Sequence, residues 1–374
     1  GALAPAARTS ARALAHLRAG GDVAAVATVA GAPAASVRTH LEAAVRLGVA
    51  TADRGGAGGA RRFRLRPDVA WALRAEAAGA PDAAAHAERH AAWVRGAVDA
   101  LVADDGDRPV GAASAAMLDR LDDVEAALDH DADADPARAL HVASRAWPAY
   151  RRIGRATYLL RYVAPQLDAH AGALPREGVA TAWATRGSLE TVAAQLPAAK
   201  ASFHVALEAY AAADDGAGQA RVHLNLAQVE ARLQALDAAE RHLHRGQALA
   251  EAHERPWVAA ACIGNRGHVL RRRGDRAGAA AAYRDAIARL QPLNDPYSVA
   301  GLRIAELGLL ATDGLPADVV RGVHRLDLEL HAVDGTQRQS LRRPFGAMRD
   351  AVAASGHDVA AERLDGVARD HRLA

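Results

Sequence analysis

The chain has 374 residues, 51% of them hydrophobic but only 4% aromatic, and a formal net charge of +2. One hundred residues are Ala and Lys200 is the only Lys, so the core is built from Ala, Leu and Val, which suits closely spaced helices and excludes a large β-sandwich. A single cysteine, Cys262, excludes an internal disulfide framework and any multi-cysteine zinc or iron–sulfur site.

The charge is unevenly spread. Residues 1–80 carry eleven Arg against five Asp or Glu, whereas residues 81–136 carry four Arg against fourteen Asp or Glu. The basic first part could face a polyanion; the acidic middle could not. No run of 18 apolar residues lacks a charge and no signal-peptide layout is present, so no membrane contact is expected and the location reads as cytoplasmic. The start at Gly1 without Met reads as a piece of a longer chain.

In chain order, a first helix is expected over Arg8–Ala19 and a second from the N-cap Asp22. A third follows Gly31-Ala32-Pro33, with Val37, Leu41 and Val45 on one face, and stops at Gly48. Two strands come next, Val49–Asp53 and Arg61–Arg66, joined by the Gly-rich run Gly55–Ala60. In the second, Phe63 and Leu65 alternate with Arg62, Arg64 and Arg66, giving one apolar and one basic face. Three helices and a Gly-rich hairpin predict a winged helix-turn-helix over residues 1–80. Helices are then expected at Asp68–Ala78, Ala83–Val102 and Ala115–Leu128. The last two belong to a helical connector, residues 81–136, that closes on an acidic linker, His130–Pro136.

From residue 137 the chain repeats, and the repeat decides the fold. Trp147, Gly187, Ala227 and Gly267 fall 40 apart. Twelve residues on lie Leu159, Ala199, Ala239 and Ala279, and sixteen on lie Val163, Phe203, Leu243 and Tyr283. Nineteen on lie Gln166, Ala206, Gly246 and Ala286. Small residues let two antiparallel helices approach, and the large one fills the gap beside them. Residues 137–374 are therefore expected to form an α-solenoid, clearest over 137–295. Beyond it, helices at Val299–Leu310, Ala317–His331, Gln337–Ala354 and Val359–His371 drift in register, as divergent or capping repeats.

This pattern resembles the tetratricopeptide repeat, best at Gly267…Gly274-Asp275…Ala279…Tyr283…Ala286, with a period of 40 instead of the usual 34. The whole layout is a winged helix, a helix bearing His86, His90 and Trp93, an acidic helix over Asp119–Leu128, then extended repeats. It resembles the region downstream of the nucleotide-binding domain in signal-transduction ATPases with numerous domains, including large LuxR-type and antibiotic-regulatory transcription regulators of actinobacteria. The resemblance implies a mostly α protein that acts as the regulatory binding module of a bacterial transcription regulator. Its winged helix would pack against an ATPase domain that these 374 residues lack. The alternative is a stand-alone transcription factor whose winged helix binds DNA, with a homodimer as the expected assembly.

No catalytic constellation is found, no cofactor is expected in this chain, and no metal is expected. Gly55–Ala60 lacks the Gly-Lys-Ser/Thr ending of a phosphate loop. His86 and His90 stand at i, i+4 without a third ligand and read as a solvated helix face; His242 and His244 lie on different faces; Cys262 reads as a small core residue. If the third helix reads DNA, Ser36, Arg38, Thr39 and His40 would face the major groove and Arg62 and Arg64 would touch the backbone.

The first helices of the repeats would line a groove for a protein or peptide partner, or a small effector. Its walls are Arg145, Arg151 and Arg152, with His141 and Ser144; then Thr181, Thr185 and Ser188; then Arg221, Asn225, Gln228 and Arg232; then Asn265, His268, Arg271 and Arg272. Asn225 and Asn265 are equivalent positions. The resemblance makes them a ladder gripping the backbone of an extended peptide, whose amide an Asn matches donor for acceptor. The arginines favour an anionic group.

Overall fold

The computed structural model describes residues 4–54, 61–77, 79–80, 82–103, 117–333 and 335–373. The chain is mostly helical and divides into two compact units, Gly1–Gln195 and Leu196–Ala374.

The first unit opens with α1 (Pro5–His16), α2 (Val23–Ala30) and α3 (Ala34–Arg46). Asp22 caps α2 as expected, accepting from the Ala25 amide at 2.8 Å. Strands β1 (Ala50–Arg54) and β2 (Arg61–Leu65) pair antiparallel, with Ala52 opposite Phe63, and Gly21 bridges to Phe63. Leu14, Val26, Val29, Val37, Leu41 and Phe63 form the core of this part. The run Gly55–Ala60 lies outside the described residues.

Helices α4 (Pro67–Ala77), α5 (Ala83–Ala103), α6 (Leu121–Ala134), α7 (Pro136–Arg152), α8 (Ala156–His170) and α9 (Arg176–Val192) complete the unit. Two expectations are corrected here. The acidic run His130–Pro136 is not a linker: α6 continues through Ala134, and Asp135 caps α7 at the Ala137 amide. Asp131 is wholly buried and takes both oxygens to Arg95 of α5, at 2.6 and 2.8 Å, which neutralises the charge that suggested a linker. His86 and His90 are also not solvated; they are 1% and 3% exposed. Trp93 packs against the cores of both the first three helices and the later ones, so the connector is folded into this unit.

The second unit runs through α10 (Leu196–Ala212), α11 (Gly216–Arg232), α12 (Leu236–Ala252), α13 (Pro256–Arg273), α14 (Arg276–Leu290), α15 (Pro296–Asp313), α16 (Pro316–His331), α17 (Gly335–Ala354) and α18 (Asp358–Asp370). The repeat positions Ala199, Phe203, Ala239, Leu243, Ala279 and Tyr283 are all buried. The register holds through α15 and α16 and shifts only in the final pair. Leu307, Val319, Val323 and Leu326 continue it at the same spacing, all at most 1% exposed. The final pair moves on by one extra residue, to Met348, Ala360, Leu364 and Val367, all buried. The pattern is hidden in the sequence because Leu and Val replace small residues there.

From residue 194 to 294 helix length is set by a turn every twenty residues, and Gly154 marks an earlier one. Gly154, Ala194, Asp214, Gln234, Glu254, Gly274 and Asn294 all take positive φ, from +52° to +87°. Each ends a helix in the left-handed conformation, and the Asp after three of them (Asp215, Asp275, Asp295) caps the next helix. A Cβ in that conformation costs energy that Gly escapes. We expect Gln234→Gly to gain about 0.5–1 kcal/mol, net of the entropy Gly adds to the unfolded chain, read as a higher urea midpoint of the full chain. A lower midpoint would mean that Gln234 makes contacts worth more than this strain.

Candidate functional site

In the second unit, the residues expected to line the groove lie on α11 and α13. Arg221, Asn225, Gln228 and Arg232 recur at i, i+4, i+7 and i+11, so they share one face of α11. Arg221, Gln228 and Arg232 are exposed and Asn225 is half-buried; among the described residues the Asn225 amide has no hydrogen-bond partner. On α13, Asn265 is half-buried and its Nδ2 donates to the Ala261 carbonyl of its own helix at 2.8 Å. That leaves its side-chain oxygen as an acceptor.

The neighbours of Asn265 are partly committed. His268 lies 2.8 Å from the Tyr283 hydroxyl. Burial, helped by Arg271 and Arg272, holds the His268 pKa down to about 4, so the ring is neutral at pH 7. Arg271 is exposed. Arg272 donates to the Ala231 carbonyl at the end of α11, tying the two first helices together.

In the first unit, the expected groove residues are more occupied. Arg145 and His141 both face Asp99, at 3.6 and 2.8 Å. Arg151 is exposed, with its guanidinium 5.7 Å from the Trp147 ring centre, and Arg152 and Ser144 are half-buried. Thr181 is exposed, but Thr185 and Ser188 are buried, and the Ser188 hydroxyl donates to the Ala184 carbonyl. These two are corrected from groove-lining to core positions: the small side chains let α9 pack closely.

The residues expected to meet DNA divide into two groups. Ser36, Arg38 and Thr39 are exposed on α3. His40 is half-buried, its Nδ1 2.9 Å from the Ser10 hydroxyl of α1. Arg62 donates to the carbonyls of Gly20 and Asp119, and Arg64 to that of Ala19. The basic face of β2 therefore lies against the α1–α2 turn. Burial, with Arg64 and Arg120 nearby, lowers the Arg62 pKa, so this guanidinium already bears a desolvation cost.

Two features escaped sequence reasoning. Asp123 of α6 is fully buried and accepts from the backbone amides of Arg18 and Ala19, at 2.6 and 3.4 Å, and lies 3.2 Å from His90 Nε2. His16 lies beside His86 and His90, with ring centres 5.9 and 6.2 Å away. Burial, then His90 and His86, hold the His16 pKa down to about 4. The second feature is Arg303, buried in α15 between Glu306 and Glu329. Its only signal is an Arg and a Glu three apart inside an otherwise apolar helix.

Cys262 is buried, as expected, and burial pushes its thiol up to about 12, which leaves it inert. His242 lies 2.9 Å from His223, whereas His244 is exposed. Among the described residues, Asp327, His331 and His371 cluster, as do Glu88, His130 and Asp131. In the second group Arg95 and Arg138 already balance the carboxylates. No described helix is long and apolar enough to cross a membrane.

No family model matches the chain, and no curated protein matches it in sequence. Solved structures do match in fold. A Rap protein complexed with Competence and Sporulation Factor is similar with a TM-score of 0.54 at 12% identity, over 81% of this chain and 84% of that one. The apo form of RapI is similar with a TM-score of 0.52 at 12% identity, over 68% and 91%. A signal-transduction ATPase with numerous domains and a tetratricopeptide repeat sensor, from Pyrococcus horikoshii, has a TM-score of 0.52 at 9% identity. The match takes in 99% of this chain but only 63% of that protein. At such identities the likeness shows the fold alone, and that fold is a mostly helical protein of tetratricopeptide-like repeats.

Proposed function

We propose that the chain is a regulatory binding module whose repeats hold an extended peptide or protein segment, and that it is not an enzyme. The observation that carries this is the pair Asn225 and Asn265. They occupy one register position in successive first helices and are half-buried; the Asn225 amide has no hydrogen-bond partner among the described residues, Asn265 keeps its side-chain oxygen as an acceptor, and Arg221 and Arg271 flank them. A peptide bond needs one donor and one acceptor at each such step, and an anionic side chain or terminus would meet the arginines. The Rap protein whose structure holds Competence and Sporulation Factor supports this by fold likeness. Panning a random-peptide library against the full chain is the test. We expect acidic peptides that bind at micromolar affinity; recovery of no binder at all would refute the reading.

We further assign residues 1–80 to a winged helix that packs within a larger bacterial regulator, such as the signal-transduction ATPases whose repeats act as sensor. The inward bonds of Arg62, Arg64 and His40 favour packing. A direct DNA role is favoured only by exposed Ser36, Arg38 and Thr39. Fluorescence anisotropy of the full chain on mixed duplex DNA separates the two. Phosphate-driven binding weakens steeply as salt rises. The packing role predicts no binding even at low salt, and micromolar binding with a steep salt slope would replace it with the DNA role.

A further inference from the structure

On α13 the amide of Asn265 and the ring of His268 stand at i and i+3, neighbours on one helix face, and both are half-buried. The chain itself fixes each of them in one chemical sense. Asn265 Nδ2 donates to the Ala261 carbonyl at 2.8 Å, so the amide cannot turn over and its oxygen is the free end, an acceptor.

His268 is fixed from the partner helix. Gly267 carries no side chain, so the ring of Tyr283 on α14 reaches across α13 and sets its hydroxyl 2.8 Å from His268 Nδ1. Arg271, which can only donate, is hydrogen-bonded to the same hydroxyl. The hydroxyl therefore accepts from Arg271 and gives its own proton to Nδ1, the one acceptor facing it among the described residues. That leaves Nδ1 bare and puts the proton of the neutral ring on Nε2. Burial, with Arg271 and Arg272 nearby, disfavours a second proton. Nε2 has no hydrogen-bond partner among the described residues and is not closed off from solvent.

We propose that His268 is a main-chain donor of the peptide groove, and that Asn265 and His268 together read one residue of an extended peptide. His268 has this role only if the repeats hold a peptide, as proposed above. One residue of a strand offers its N–H and its C=O on the same edge. Asn265 Oδ1 accepts that N–H, and His268 Nε2–H donates to that C=O. The ring thus supplies the donor that Asn265 spends within its own helix. Tyr283 touches no ligand; it is a positioning residue that holds the tautomer. A free carboxylate would give His268 an acceptor but bring Asn265 no donor, so the pair selects a peptide main chain.

The tautomer is read without any ligand, by long-range proton–nitrogen correlation NMR of the histidine rings in the full chain at pH 7. His268→Gln identifies the signal by its loss. Nε2 should carry the proton, and Tyr283→Phe, which removes the donor at Nδ1, should shift the Nδ1 resonance. A proton on Nδ1, or an Nδ1 resonance that Tyr283→Phe leaves in place, overturns the proposal. Binding is read by fluorescence polarisation of a peptide selected from the random library. His268→Ala should bind it about three- to tenfold more weakly, the scale of one hydrogen bond, and His268→Gln, which keeps a donor, should recover most of the loss. Unchanged affinity in a folded His268→Ala variant overturns the proposal. If Asn225→Ala/Asn265→Ala still weakens binding in that case, the groove reading stands and only the role of His268 fails. If neither change matters, or no peptide binds, the groove reading fails and the role of His268 falls with it.

Discussion

Asp123→Ala is expected to lower the stability of the first unit by about 3–5 kcal/mol, the usual cost of breaking a buried charged network. The carboxylate is 0% exposed, and three groups depend on it: the amides of Arg18 and Ala19 in the α1–α2 turn, and His90 of α5. Removing it takes the acceptor from two part-buried backbone amides and leaves the buried His90 ring without its carboxylate. Urea denaturation followed by circular dichroism measures the effect. Asp123→Asn keeps the volume and one acceptor oxygen, so it should cost less than the Ala variant. A cost under about 1 kcal/mol for Ala would mean that the turn finds other partners, and that Asp123 does not join the first three helices to the connector.

The second large effect is in the other unit. Tyr283→Ala should cost about 3–5 kcal/mol, as truncation of a buried aromatic does. Tyr283 is 0% exposed and its ring occupies the space that Gly267 leaves open on α13; a Cβ at Gly267 would lie 2.6 Å from that ring. Phe203 holds the same register position two repeats earlier and is likewise 0% exposed. Phe203→Ala should therefore fall in the same range. Tyr283→Phe isolates the hydroxyl on His268 and should cost about 1 kcal/mol. If truncating either aromatic is tolerated within about 1 kcal/mol, these positions are not the fillers between paired helices.

The helical repeat was legible because its physics is periodic. A close helix pair needs small residues at fixed offsets and one large residue beside them, and Gly267, Ala279, Tyr283 and Ala286 meet that need at every position. The same rule misled where volume was conserved by other means. Leu307 and Val319 hold the small-residue places in α15 and α16, so the register looked lost while burial kept it. The acidic run before α7 looked like a linker because charge was read without its partner. Arg95 stands 36 residues away from Asp131, and no local pattern joins them. The left-handed turns were half legible: Gly154 and Gly274 announce themselves, but Ala194, Gln234 and Glu254 do not favour that conformation and give no signal.

For the candidate site, sequence spacing gave which residues share a face of α11 and α13. It could not give which were already engaged. Arg62 and Arg64 alternate as a strand face should, yet both donate to carbonyls of a turn some forty residues earlier in the chain, and Arg62 also to that of Asp119. Thr185 and Ser188 have polar side chains that a sequence pattern assigns to a groove, but close packing buries them. Arg303 and Glu329 are 26 residues apart and meet only through the packing of α15 on α16.

The claim that the repeats grip a peptide backbone rests on two side chains, and a single comparison tests it. The affinity of a library-selected peptide is measured by fluorescence polarisation on the wild-type chain and on Asn225→Ala/Asn265→Ala. Both residues are half-buried and neither holds a partner in another helix, so the double variant should melt within a few degrees of the wild type. Loss of two bidentate amide contacts predicts affinity at least tenfold weaker, since each hydrogen bond contributes about 0.5–1.5 kcal/mol. Unchanged affinity in the folded double variant would contradict the account, because a peptide bound elsewhere would not depend on these two amides.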